Sequence, residues 1–392
     1  MGICNIDLYL RVSFPMRRRV INSFMGLLVL LALQACKSEE PPCGSPVNIT
    51  WLGVTTYALS YEYNSKPVTV LLDHQLNAAY YDQVLETLEF DALDYVFVGH
   101  NHFDHTGRCT AQGDILCDLA LASTDSSNIP WEGAPYDIYA MEKYGARVVA
   151  PFGLCETLDE TECLGIWSMD GAQRFSLDDI GLNVIAFPSA HSNAFGELDY
   201  RREHPGNAEA DPFSFILEFP AQDTSCQASL LWTSSTLSEA PYLQYTETLD
   251  HDDTTWTFDY QALLVDAMAL RDNKPLTYWT FYAHDLPDAA AWSQWANPIQ
   301  PKAWSNHHHG IGTSIYFPDL HMPFLGSSQG GPAETPQSPW ITQTENSGSE
   351  FIPLDSYWET VELRDGEAFH VPKRQIELSE RFADKVQLLL GP

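Results

Sequence analysis

The chain has 392 residues, 44% hydrophobic and 12% aromatic, and carries a formal net charge of −33 from 53 acidic against 20 basic side chains. That apolar content suffices for one large core, and without a repeat period the length is read as one elaborated domain. So negative a field repels nucleic-acid phosphates and anionic lipid surfaces, which argues against a nucleic-acid partner and electrostatic membrane docking; a small-molecule substrate is expected, and the charge serves solubility.

The predicted elements begin with a leader. Arg17, Arg18 and Arg19 precede a short apolar stretch that ends in Leu33-Gln34-Ala35-Cys36. Basic, apolar, then small-residue order predicts a signal peptide over residues 1–35, too short to favour a spanning helix, with an uncleaved anchor as the alternative. Its last four residues resemble a bacterial lipobox. That resemblance implies cleavage before Cys36, lipidation of Cys36, and, from Lys37 beside it, anchoring to the outer membrane of a Gram-negative cell envelope. Translation starting at Met16 would leave the same leader. The polar, proline-bearing segment 36–46 reads as a tether, and 47–392 as the folded domain.

Within that domain, strand-like runs are predicted at 48–60, 67–73, 95–99, 147–151, 182–187, 213–219 and 228–233. Helices are predicted at 80–89, 134–144 and 374–390, giving a layered α/β protein. Long segments at 111–145, 192–212, 237–258 and 271–300, rich in Trp, Tyr, Pro and Asp, read as insertions between core strands. Their Trp131, Tyr200, Trp279, Tyr282 and Trp292 either line a pocket or pack the insertions onto the body. The stretch 327–340 reads as a surface excursion. Setting aside Cys4 and Cys36, six cysteines remain, an even number that predicts disulfides in an oxidising compartment. Cys109 with Cys117, Cys155 with Cys163, and Cys43 with Cys226 are the expected pairs, with buried free thiols as the alternative.

The strand at 95–99 runs directly into His100, His102, Asp104 and His105, spaced H-x-H-x-D-H. Residues two apart on an extended chain point the same way, so His100 and His102 can share one ion while Asp104 and His105 turn toward a second. A lone histidine after a strand is usually a hydrogen-bonded loop residue; four ligand-type residues in six positions reverse that expectation. Imidazole and carboxylate donors suit zinc, and also iron or manganese. Further candidates follow later strands: His191 after 182–187, and the run His307, His308, His309.

This pattern resembles the metallo-β-lactamase superfamily, whose H-x-H-x-D-H signature is matched in full. The likeness reaches back to the hairpin that ends at Asp73 and forward to the histidine run, covering most of residues 48–315. It implies a four-layered αββα sandwich with long loop insertions, and a site at one edge of its two sheets. It also implies one zinc on His100, His102 and His191, a second on Asp104, His105 and His308, and a supporting role for Asp73. His308 is chosen for its place before Gly310, with His307 and His309 remaining open. One departure is clear: where many members carry a metal-bridging aspartate, this chain has Ser234 and Ser235. Asp266 is a candidate substitute, although its apolar surroundings make a structural acid at a strand end the plainer reading.

Zinc with an open coordination position lowers the pKa of bound water from about 15.7 to about 7, supplying a hydroxide nucleophile. Asp104 would orient that water and accept its proton. The expected function is hydrolysis of an ester, lactone, lactam or phosphodiester bond. The alternative is a non-catalytic cell-surface protein that keeps the fold to bind a metal or partner.

Overall fold

The computed structural model describes residues 44–53, 55–73, 81–100, 140–141, 143–155, 162–167, 170–189, 212–223, 226–234, 246–251, 254–282, 297–307, 348–354 and 358–390. The expected leader, the lipobox with Cys36 and most of the tether lie outside these residues.

The first sheet grows from an antiparallel meander, β1 (Val47–Gly53), β2 (Thr56–Tyr63) and β3 (Lys66–Leu72). Asn64 and Ser65, at φ 51° and 60°, form the two-residue turn whose positive φ angles match the twist of a β2–β3 hairpin. The run predicted as one strand over 48–60 is two, since the chain reverses between Gly53 and Thr56 and β1 pairs antiparallel with β2, with a register irregularity between Trp51 and Gly53. Three parallel strands extend the sheet beyond β3: β4 (Tyr95–Phe97), β5 (Arg147–Pro151) and β6 (Cys163–Ile166). On its other side β1 pairs with β16 (Thr360–Arg364), which pairs with β17 (Glu367–His370).

The second sheet begins with the antiparallel strands β7 (Gln173–Leu177), β8 (Leu182–Pro188), β9 (Phe213–Glu218) and β10 (Ser229–Thr233). It continues in parallel through β13 (Tyr278–Tyr282), β14 (Ala303–His307) and β15 (Glu350–Phe351). Between these, β11 (Thr246–His251) and β12 (Thr254–Asp259) form a separate antiparallel ribbon. Helices are α1 (Tyr81–Thr87), α2 (Phe152–Cys155), α3 (Tyr260–Ala269) and α4 (Pro372–Leu390).

The apolar runs alternate as a sheet buried on both faces requires. Val70, Leu72, Tyr95, Phe97 and Val149 face the second sheet's Val184, Phe215, Leu217 and Trp232. Leu71, Val96, Val98, Val148 and Ala150 face outward onto α1 and α4 residues such as Val84, Leu85 and Leu378. Aromatic rings join the sheets, Phe97 edge-on to Phe215 at 5.5 Å between centroids and Phe215 stacked on Trp232 at 5.6 Å. With α3 packed over β8, the layers run helix, sheet, sheet, helix, the αββα sandwich expected from the sequence.

Several expectations are corrected. Asp266 lies exposed on α3, not at a strand end: Asp259 caps that helix, its side chain accepting from the Ala262 N–H at 2.9 Å, and Tyr260, Leu264, Ala267 and Met268 form the buried stripe. The segment 271–300 is not wholly an insertion, since it contains core strand β13, where Trp279 is buried. Trp279 therefore packs the body. Part of 237–258 is the β11–β12 ribbon. Of the predicted cysteine pairs, Cys155–Cys163 is a disulfide with Cα atoms 5.5 Å apart. Cys226 is also disulfide-bonded; its expected partner Cys43, and the pair Cys109 and Cys117, lie outside the described residues.

Candidate functional site

Strand direction gathers the segments that the sequence singled out. β3, β4 and β5 are parallel, so their C-terminal ends share one side of the first sheet. In the second sheet β8 and β10 are each antiparallel to β9 and hence parallel to one another, and β13 and β14 run parallel to β10. Contacts at the tips join the two sets of ends. Ser234, just past β10, meets Asp73 and His100, just past β3 and β4. The Phe213 N–H donates to the Gly99 carbonyl at 2.8 Å, and the Ser189 N–H donates to the Pro212 carbonyl at 2.9 Å. The exits of β3, β4, β8, β10, β13 and β14 thus lie along one edge of the sandwich.

Asp73 anchors this corner. Its backbone N–H donates to the Phe97 carbonyl at 2.8 Å, and its φ of 40° is a left-handed value that aspartate tolerates better than most residues. The carboxylate is fully buried and accepts hydrogen bonds on both oxygens. The Gly99 N–H reaches Oδ1 at 3.0 Å, while the Thr55 and Ser234 hydroxyls reach Oδ2 at 2.6 and 2.9 Å. Trp232 Nε1 donates to the Thr55 carbonyl at 3.2 Å and holds that turn in place. Gly99 is required by close approach: a Cβ there would lie 2.0 Å from both Cβ and Oγ of Ser234.

His100 is buried, with Nδ1 3.2 Å from Ser234 Oγ. The Ser234 hydroxyl donates its one proton to Asp73 Oδ2, so Ser234 Oγ can only accept from the imidazole. The neutral ring then carries its proton on Nδ1 and its lone pair on Nε2, the form in which an imidazole ligates a metal while its other nitrogen is held by a hydrogen bond. The donor chemistry of His100 therefore fits a metal ligand.

His102, Asp104, His105, His191, His308 and His309 lie outside the described residues. Among the described residues no group of three or more His, Cys, Asp or Glu side chains is gathered. Of the histidine run, His307 is the last residue of β14, its backbone paired with Tyr282 of β13. The supporting role expected of Asp73 has a geometric form here. What sequence reading missed is that Ser234, noted only for lacking a carboxylate, joins Asp73 to His100, and that Thr55 completes the set. A glycine between an apolar strand and a histidine was the available signal of close approach; nothing in the sequence pointed to Thr55.

No protein-family model matches the chain, and no curated protein does. Solved structures similar to it include a Thermotoga maritima protein assigned to the zinc-dependent hydrolases of the metallo-β-lactamase superfamily. That likeness has 10% identity and a TM-score of 0.29, over 69% of this chain and 79% of that one. Another is the chemotaxis sensor ODP in a peroxy diiron state, at 16% identity and TM-score 0.30, over 67% and 84%. A diphosphatase of the PhnP family follows at 13% and 0.31, over 67% and 86%. Likenesses of this size assign no residue role and no reaction to this chain.

Proposed function

We propose that the protein is a metal-dependent hydrolase of the metallo-β-lactamase type, exported and held in the cell envelope by a lipid on Cys36. One observation carries the reading: β4, β8 and β14, the strands that precede His100, His191 and His308, all end along one edge of the sandwich. A scaffold that aims loops from distant parts of the chain at one region is how protein folds build a multi-ligand site. The H-x-H-x-D-H spacing and the lone pair assigned to His100 Nε2 agree with it.

On this reading His100, His102 and His191 hold one ion, and Asp104, His105 and His308 hold another. Zinc is the ion that donor set favours, with iron or manganese as competitors. When bound, such an ion supplies Lewis-acid polarisation and lowers the pKa of water to about 7. The protein's part is to orient: Asp104 accepts the proton of the attacking water at its carboxylate, and Asp73 and Ser234 fix the His100 ring. The substrate is a small ester, lactone, lactam or phosphodiester; the strongly negative charge disfavours polyanions.

Metal analysis of the purified protein, with hydrolysis of lactone, lactam, ester and phosphodiester panels before and after chelation, tests this. Bound zinc and activity lost on chelation are expected. Asp104→Asn should fold, hold one ion more weakly and turn over about 10²–10⁴-fold more slowly. Zinc bound without turnover of any panel member would favour the second reading, a metal-binding surface protein, which draws on the pair Ser234 and Ser235 standing where many members of the superfamily carry a glycine and a metal-bridging aspartate. A protein that binds no metal would refute both.

A further inference from the structure

We propose that Ser234 is a positioning residue, the middle of a chain Asp73–Ser234–His100 that sets which ring nitrogen of His100 faces the metal site. The inference rests on the hydrolase reading for its purpose, but not for its geometry. Five residues define that geometry. Asp73 is buried and takes Gly99 N–H on one oxygen and the Thr55 and Ser234 hydroxyls on the other. Ser234, also buried, donates its only proton to Asp73 and lies 3.2 Å from His100 Nδ1. The absence of a side chain at Gly99 is what lets Ser234 come so near.

The consequence is a fixed tautomer. Because Ser234 Oγ can only accept from His100, Nδ1 keeps the proton and Nε2 keeps the lone pair. The serine at this position thus has a role of its own. A carboxylate in its place could not donate to Asp73, and would bring a second negative charge against that carboxylate; the hydroxyl donates to one neighbour and accepts from the other. Ser234, 134 positions from His100 in the chain, thus relays the acceptor strength of Asp73 to the imidazole.

Asp73→Asn distinguishes this role from a merely structural one. The amide keeps the size of the side chain, its tolerance of positive φ and an oxygen for the Gly99 N–H; the opposite orientation would set amide hydrogens against that N–H. Its Nδ2 then donates to the Thr55 and Ser234 hydroxyls, freeing the Ser234 proton to point at His100 Nδ1. The proton of the neutral ring moves to Nε2, and the ligating lone pair is lost from that nitrogen, as an asparagine in place of a buried aspartate reverses a histidine tautomer in serine proteases.

The test is imidazole ¹⁵N NMR of the metal-free protein, at a pH where the ring is neutral, with His100 assigned by its loss in His100→Gln. Wild type should show the proton on Nδ1, Asp73→Asn should show it on Nε2, and Ser234→Ala should show a mixture. Zinc affinity, measured by competition with a chelator, should fall about 10–100-fold in both Asp73→Asn and Ser234→Ala. Wild-type His100 protonated on Nε2 would overturn the proposal, as would Ser234→Ala with an unchanged tautomer and unchanged zinc affinity. The wild-type spectrum decides even if a variant fails to fold. The expected tautomers in a protein that binds no zinc would support the chain of hydrogen bonds and refute the hydrolase reading instead.

Discussion

Gly99 and Asp73 show how little freedom the corner leaves. An alanine at 99 would place its Cβ 2.0 Å from Ser234, so either the serine or the end of β4 must move. Such overpacking costs about 1–3 kcal/mol, and a lowered denaturation midpoint for Gly99→Ala with an unchanged m value is the expected result. Full wild-type stability would mean that the strand end yields without strain. At this scale Asp73 and His100 were legible because residue type and position at a strand end announce them. Ser234 was legible only as a departure, since a hydroxyl's role depends on which side chains the fold brings to it.

At the scale of elements, the short bridge between Cys155 and Cys163 ties α2 to β6, the edge strand of the first sheet. Closing a loop of this length removes chain entropy worth about 2–3 kcal/mol from the unfolded state. Replacing both cysteines by alanine should lower stability by about that amount in denaturant titrations and leave unchanged whatever metal content the wild-type protein shows. A loss of metal binding would show that β6 supports the site directly. Strands with long apolar runs, β3, β4, β8, β9 and β10, were readable because both of their faces are buried. The edge strands β6 and β7 were not, as half-exposed strands mix polar and apolar residues. β13 was hidden for another reason: YWTFY carries the aromatic signature shared by core strands and binding loops, and only its parallel pairing with β10 decides between them. ALLVDAMAL misled because a short apolar run has no period until a cap and a buried stripe are seen.

Across the whole molecule, the interior between the sheets holds tyrosine hydroxyls that burial keeps protonated. Burial is the largest cause raising the pKa of Tyr57, Tyr61 and Tyr278 above the ordinary value; Asp94 and Asp179 add to it at Tyr61, and Thr280 and Ser305 partly oppose it at Tyr57 and Tyr278. In the unfolded chain these groups ionise near pH 10. Their contribution to stability is therefore complete below that pH and is lost progressively as pH climbs from it toward the higher folded pKa, because over that range the folded state holds more protons than the unfolded one. Denaturation midpoints should begin to fall near about pH 10 and go on falling as pH rises further, and tyrosinate absorbance should show these residues ionising only on unfolding. Their ionisation in the intact fold would refute this.

The sequence by itself determined the layered α/β class, one of the disulfides, and the strand that delivers His100, because alternation, cysteine spacing and ligand clustering are local properties that survive without a fold. It also carried the expectations of an exported leader and of a metal site. Only the tertiary structure decided that strands as far apart in the chain as β3 and β14 end at one edge, that Trp279 packs the body, that Asp266 faces solvent, and that Ser234 stands between Asp73 and His100. These are products of sheet pairing, whose partners lie far apart along the chain and are chosen by the burial of both sheet faces at once.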